Sequence, residues 1–283
     1  MSGQWTAADA AGSLHAPTSD DHKYSRGVVG LRTGSEAYPG AAVLGVEAAW
    51  RTGTGMVRYL GPARAADLVL ARRPETVTVD GRVQAWVVGS GTDAAARSFA
   101  ETETLRRLLA GDVPVVVDAG ALDRAAGATA PLVVTPHARE HDALRGTLGL
   151  GPVDPAAGEE ERSRAAAETA ARLGGVVLLK GALTLVAEPG GIVRRVSAGT
   201  PWLATAGTGD VLAGAVGAVV AGIAARRNPD AVALADAAAS AAWLHGRAAS
   251  LVAAAFGGAG GPLTALDVAD ALPRAVAEAL AAG

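Results

Sequence analysis

There is no cysteine among the 283 residues. That excludes a disulfide framework and a thiolate metal site. It fits a reducing compartment, so a cytoplasmic location is expected. Aromatic residues make up only 4%, which leaves alanine, valine and leucine to fill the core and lets helices and strands approach closely. Charge of one sign is also scarce: the net value is −3, with both signs mixed. This is not the basic footprint of a nucleic-acid binder. The N-terminus has no basic segment leading into an apolar one, so no signal peptide is expected. The longest apolar run, Val211 to Ala225, lies between Asp210 and Arg226-Arg227. It falls short of the ~20 residues needed to cross a bilayer, so no membrane partner is expected.

What is present is an apolar half, enough for a sizeable core, arranged as short apolar runs alternating with amphipathic stretches. Gly27–Leu31, Met56–Leu60, Thr76–Val79, Ala85–Val88, Val113–Val117 and Leu132–Thr135 read as strands. Ala41–Arg51, Asp93–Ala110 and the charged surface stretch Glu159–Leu173 read as helices. Gly175–Glu188 reads as two strands joined at Lys180-Gly181, with Ile192–Val196 pairing onto the second. Asn228-Pro229 looks like a helix start, and Thr264 to Asp267 like a capping box. Strands alternating with helices predict an α/β fold, a mainly parallel sheet covered by helices on both faces. Residues 1–21 are polar and read as a flexible tail, and 22–283 as one domain.

In such sheets ligands bind beyond the carboxyl ends of the strands. GSG (89–91), DAGAL (118–122), TPH (135–137), KGALT (180–184) and AGTGD (206–210) all follow strands or the last crossover. AGTGD carries the most chemistry. Gly207 and Gly209 allow close backbone approach, and the helix opening there offers unpaired N–H groups and a positive dipole end. Gly207, Thr208 and Gly209 thus form a candidate anion hole. Asp210 beside it can take a proton from a hydroxyl attacking phosphorus. The plainer alternatives are that Asp210 only caps a helix, that Lys180 is an exposed hairpin lysine, and that His137 only caps the next helix. His245 reads as a packing residue inside a helix. No GxxxxGK[ST] phosphate loop occurs.

Together these stretches resemble the NAD(P)H-hydrate dehydratases of the ribokinase-like superfamily. The matching segments are HKYSRG (22–27), GSEAYPGAA (34–42), the five rim motifs and AAWLHGRAA (241–249). The resemblance implies a ribokinase-like fold and a metabolite-repair lyase. ADP, or else ATP, with Mg²⁺ phosphorylates the 6-hydroxyl of the S epimer of hydrated NADH or NADPH (NADHX, NADPHX), and phosphate then leaves. It implies Asp210 as catalytic base in contact with substrate. Lys180, Gly181, Ala182, Leu183, Thr184 and Gly209 would line the adenine nucleotide. Ala41, Ala42, Gly91 and His137 would contact substrate, and no protein cage for the metal is expected. It further implies a homotetramer and an epimerase on a separate chain. Several positions depart from the family pattern, among them Tyr24, Gly120, Ala138 and Ala206. Arg139, where the family has glycine, bears most on substrate. The alternatives are a kinase of the same superfamily acting on a pyrimidine or thiazole alcohol, and a nucleotide sensor without turnover.

Overall fold

The computed structural model describes residues 3–283. Its centre is one eight-stranded sheet: β1 (Val28–Arg32), β2 (Met56–Tyr59), β3 (Ala85–Val88), β4 (Val115–Val117), β5 (Leu132–Val134), β6 (Val176–Leu179), β7 (Thr184–Ala187) and β8 (Val193–Val196). The order is β2-β1-β3-β4-β5-β6-β7-β8. The first six are parallel, β7 runs antiparallel to β6, and β8 runs antiparallel to β7. The strands are Val/Leu runs because both faces are buried. Val29, Leu31, Val87, Val116 and Val133 face one core, and Val28, Val88, Val115, Val117 and Val134 the other.

The first core lies under α1 (Ala7–Ala11), α2 (Gly40–Thr52), α3 (Ala63–Arg72), α7 (Thr208–Ala224), α8 (Ala231–Ala254) and α9 (Ala265–Leu280). The second lies under α4 (Phe99–Leu109), α5 (Ala138–Thr147) and α6 (Glu159–Leu173). Scarcity of aromatics has the expected geometric result. A Cβ on Gly214 of α7 would lie 2.2 Å from the Gly45 carbonyl oxygen of α2, and one on Gly217 2.2 Å from Val87 Cγ2 of β3. α7 therefore lies against both its neighbouring helix and the sheet. Among the described residues no helix is long and apolar enough to cross a membrane.

Four expectations are corrected. Residues 3–21 are not a loose tail. Thr6 caps α1, Ala10 is fully buried against α8 and α9, and Trp5 N–H donates to Arg195 O of β8 at 2.8 Å. Apolar Trp5, Ala10 and Leu14, dispersed among polar residues, hid this packing. Thr76–Val79 forms a single bridge, Arg58 to Val77, because Arg58 turns its guanidinium onto the Val79 and Arg82 carbonyls and the chain leaves the sheet. α4 begins only at Phe99, where Ser98 accepts from Glu101 N–H. α8 starts after Asp230, whose carboxylate accepts from Ala233 N–H and outcompetes Asn228 as cap. The capping box at Thr264 forms as expected.

One buried charge braces the α2 side. Glu47 is fully buried and ion-paired to Arg51 (3.0 Å), Arg72 (3.2 Å) and Arg73. Burial alone would raise its pKa, but the three arginines outweigh that and hold it down to about 2. A depressed carboxyl contributes stability that is present above its unfolded value and lost as pH falls through the folded one. Glu47→Gln is expected to cost about 3 kcal/mol at pH 7. In denaturant titrations the gap from wild type should narrow below pH 4.5, the group's ordinary value.

Candidate active site

The loops at the carboxyl ends of the parallel strands are tied to one another by backbone. Gly34 N–H donates to Ser90 O (2.7 Å), joining the turn after β1 to GSG after β3. Lys180 N–H donates to Pro136 O (2.9 Å), joining KGALT after β6 to TPH after β5. These turns can meet only because some lack side chains. A Cβ on Gly91 would sit 2.3 Å from the Ala41 methyl, and one on Gly89 2.1 Å from Asp118 O. Ala119, just after β4, has φ +43°, a left-handed backbone without glycine's freedom. Arg97, bonded to Gly120 O and Asp123, clamps that turn in place.

At the centre is buried Asp118. It accepts from Ser90 Oγ (2.9 Å), Thr135 Oγ1 (2.8 Å) and Lys180 Nζ (2.9 Å), so four rim motifs converge on one carboxylate. Glu140 stands 3.8 Å from Lys180 Nζ. Burial would lower the Lys180 pKa, but Asp118, Glu140 and Asp210 outweigh it and the amine stays above its ordinary value, charged. Lys180 is not an exposed hairpin lysine: it reaches inward, its Nζ 3.7 Å from where a Gly209 Cβ would stand.

Gly207, at φ +88°, caps α7. Thr208 N–H bonds Thr205 O and Val211 N–H bonds Gly207 O, while the Gly209 and Asp210 amides between them have no backbone partner among the described residues. They are the free donors of the helix start, where anions are favoured. Asp210 sits in the third position of α7 and is not its cap. It is half-buried. Burial, and then the Asp118 charge, push its pKa up to about 6, with Lys180 only partly opposing. A carboxylate held near 6 beside free amides and a cation can take a proton near neutral pH while the amides hold a phosphoryl group.

A profile of the family described as NAD(P)H-hydrate dehydratase matches residues 29–274. The chain belongs to that family. It is 45% identical to the bifunctional NAD(P)H-hydrate repair enzyme Nnr of Mycobacterium tuberculosis over 232 residues, 76% of this chain and 45% of that one. It is 34% identical to the ADP-dependent (S)-NAD(P)H-hydrate dehydratase of Neisseria meningitidis over 267 residues, 88% of this chain and 84% of the relative. The chain thus spans about half the length of the bifunctional relatives it matches. Among solved structures, the ADP/ATP-dependent NAD(P)H-hydrate dehydratase of Bacillus subtilis, co-crystallised with ATP/Mg²⁺, superposes with TM-score 0.81 at 27% identity, covering 96% of each chain. A ribokinase-like protein of Enterococcus faecalis shares the fold, with TM-score 0.77 at 22% identity, covering 97% of this chain and 95% of that one. The ribokinase-like architecture expected from the dehydratase motifs is therefore present.

The structure gathers most of the sequence candidates and separates a few. Gly207, Gly209, Asp210 and Lys180 adjoin at one end of α7. Thr208 turns its hydroxyl inward onto Leu203 O and Thr205 O, and its N–H bonds Thr205 O, so neither of its donors is free for an anion. Gly181 and Ala182 are exposed at the turn, Thr184 is half-buried, and Leu183 packs towards the second core. Ala41 abuts Gly91, but Ala42 is fully buried beneath Gly34, too deep for its methyl to touch a ligand. His137 does cap α5: its Nδ1 accepts from Glu140 N–H while its ring stays half-exposed. Arg139, two residues on, is exposed. HKYSRG lies elsewhere, Gly27 against the carboxyl end of α7. Asp118, Ser90, Thr135 and Glu140 were missed as site residues. Asp118 follows β4 directly, so the need of Lys180 for a carboxylate was the signal that could have found it.

Proposed function

We propose that the protein dehydrates the S epimer of hydrated NADH and NADPH to the dihydronicotinamide, with ADP as phosphoryl donor. One observation carries this reading: the Asp210 carboxylate, half-buried and without a hydrogen-bond partner among the described residues, has its pKa raised to about 6 beside the free Gly209 and Asp210 amides. The named activity of the Neisseria relative supports both the reaction and ADP. Asp210 takes the proton of the 6-hydroxyl as its oxygen attacks phosphorus, and the P–O bond to the AMP leaving group breaks. The amides stabilise charge on the transferred group. The ring C–O bond then breaks, releasing phosphate, and loss of a proton from the adjacent carbon forms the double bond. Lys180, fixed by Asp118, lies against Gly209 and screens the nucleotide's negative charge. Gly181 to Thr184 border the nucleotide, and Ala41, Gly91 and His137 border the substrate.

Among the described residues no group of three or more His, Asp or Glu is arranged to hold an ion. The Asp118 and Glu140 carboxylates are occupied by Lys180. Mg²⁺ would arrive on the nucleotide and would neutralise phosphate charge there. A homotetramer, a cytoplasmic location and a partner epimerase complete the proposal. The bifunctional names of the longer relatives support a second activity acting alongside.

The test incubates the protein with hydrated NADH, Mg²⁺ and ADP, and follows dihydronicotinamide absorbance. Recovery with ADP is expected, with an acidic limb in which the rate rises through about pH 6 as Asp210 loses its proton. Recovery only with ATP would replace the donor. Nucleotide binding with no recovery from either would sink the repair reading in favour of a small-molecule kinase or a sensor.

A further inference from the structure

α6 reads in sequence as a charged surface helix, but one of its charges faces the site. Arg162, in its first turn, lies over the KGALT turn: a Cβ on Gly181 would stand 2.7 Å from Arg162 Nη2 and 3.6 Å from its Cζ. The missing side chain at Gly181 is what lets the guanidinium lie there. Arg162 is half-buried, and among the described residues no hydrogen bond or ion pair engages its side chain. Three glutamates precede it, yet Glu159 turns away to Arg195, and neither Glu160 nor Glu161 pairs with it.

The start of α6 is not a place a cation prefers. Arg162 sits at the positive end of the α6 dipole, where anions are preferred. It has given up part of its hydration with no carboxylate in return. Arginine's planar fork suits phosphate oxygens. Lys180, the other cation of this motif, begins the same turn. It is committed to Asp118, while Arg162 is uncommitted.

We propose that Arg162 is a nucleotide-binding residue that grips the phosphate chain of the adenine nucleotide from across the Lys180–Thr184 turn. This rests on the reading that the nucleotide lies along that turn. Arg162 then sets nucleotide affinity and takes no part in the proton transfer at Asp210. Gly181 is required as the seat of the guanidinium.

The experiment compares wild type, Arg162→Gln, Arg162→Lys and Gly181→Ala in the repair assay, and titrates each with ADP and with adenosine. Arg162→Gln is expected to raise the ADP KM and Kd about ten- to a hundredfold, the size of a lost charge-assisted bond. Its kcat and its KM for the hydrated substrate should stay within about twofold, as for loss of uniform binding. Arg162→Lys should recover part of the ADP affinity, and Gly181→Ala should weaken ADP as Arg162→Gln does. Adenosine, which has no phosphate, should bind wild type and Arg162→Gln equally. An unchanged ADP Kd in Arg162→Gln overturns the assignment, as does an effect on the substrate KM in its place. Equal loss of adenosine and ADP overturns it in favour of a contact to the base. Wild type that binds ADP without turnover overturns the repair reading alone, leaving Arg162 to be judged by the titrations. Wild type that binds no ADP overturns both.

Discussion

Asp210→Asn is expected to lose turnover by about 10³-fold, the scale of a general base, and at the same time to melt at a higher temperature than wild type at pH 7. The two results come from one cause. The Asp210 pKa is raised to about 6 from an ordinary 3.8, first by burial and then by Asp118. A carboxyl raised in the folded state contributes stability that is fully present below its unfolded pKa and is lost as pH rises through the folded one. At pH 7 the ionised group is therefore a load on the fold. Asparagine removes that load, so the gain at neutral pH should be at least about 1 kcal/mol. It should fade as pH falls below about 6 and vanish below the ordinary value of 3.8. Thermal melts across pH 3 to 8, with ADP titrations to confirm that the site still forms, check this. An Asp210→Asn protein that is less stable than wild type at pH 7 would falsify the assignment of Asp210 as a strained functional group.

Gly214→Ala is expected to be strongly destabilising. The new Cβ would meet Gly45 O at 2.2 Å and Gly45 C and Cα at 2.9 Å, all backbone and unable to rotate aside. Such overpacking costs about 3 kcal/mol or more, which in a chain of this size lowers the melting temperature by roughly 5–10 °C. Separation of α2 and α7 would also shift the free amides at the start of α7, so kcat should fall with stability. Gly222→Ala on the same helix is the control. Its Cβ would meet nothing nearer than Arg26 O at 3.9 Å, so it should be neutral or slightly stabilising. Equal effects at the two positions would show that the contact between α2 and α7 does not limit the fold.

These two residues also show what the sequence could reveal. Asp210 was legible because glycines, a following apolar helix and a carboxylate occur together, and each has a local physical meaning. The parallel strands were legible because residues buried on both faces must be apolar, as in Val115–Val117 and Val176–Leu179. Gly214 was not legible: inside TGDVLAGAVGAVVAG it looks like any small residue in an apolar run, and its meaning depends on Gly45, distant in the chain. Asp118 and Arg162 were hidden for the same reason. Their roles come from partners on other loops, such as Ser90, Thr135 and Gly181, and pairing across the sheet leaves no periodic trace. The packing of Ala10 escaped because one short helix buries too few residues to make a pattern.

The placement of α7 also divides the site into slow and fast parts. Thirteen of its seventeen residues are buried, and it is held by α2, α8 and the sheet together. Its interior amides should exchange with deuterium only through global unfolding, whereas the exposed turn at Gly181-Ala182 and the Ser35–Tyr38 segment should exchange within minutes or less. The helix end that carries Asp210 thus belongs to the slow part of the site, and the turns around it to the fast.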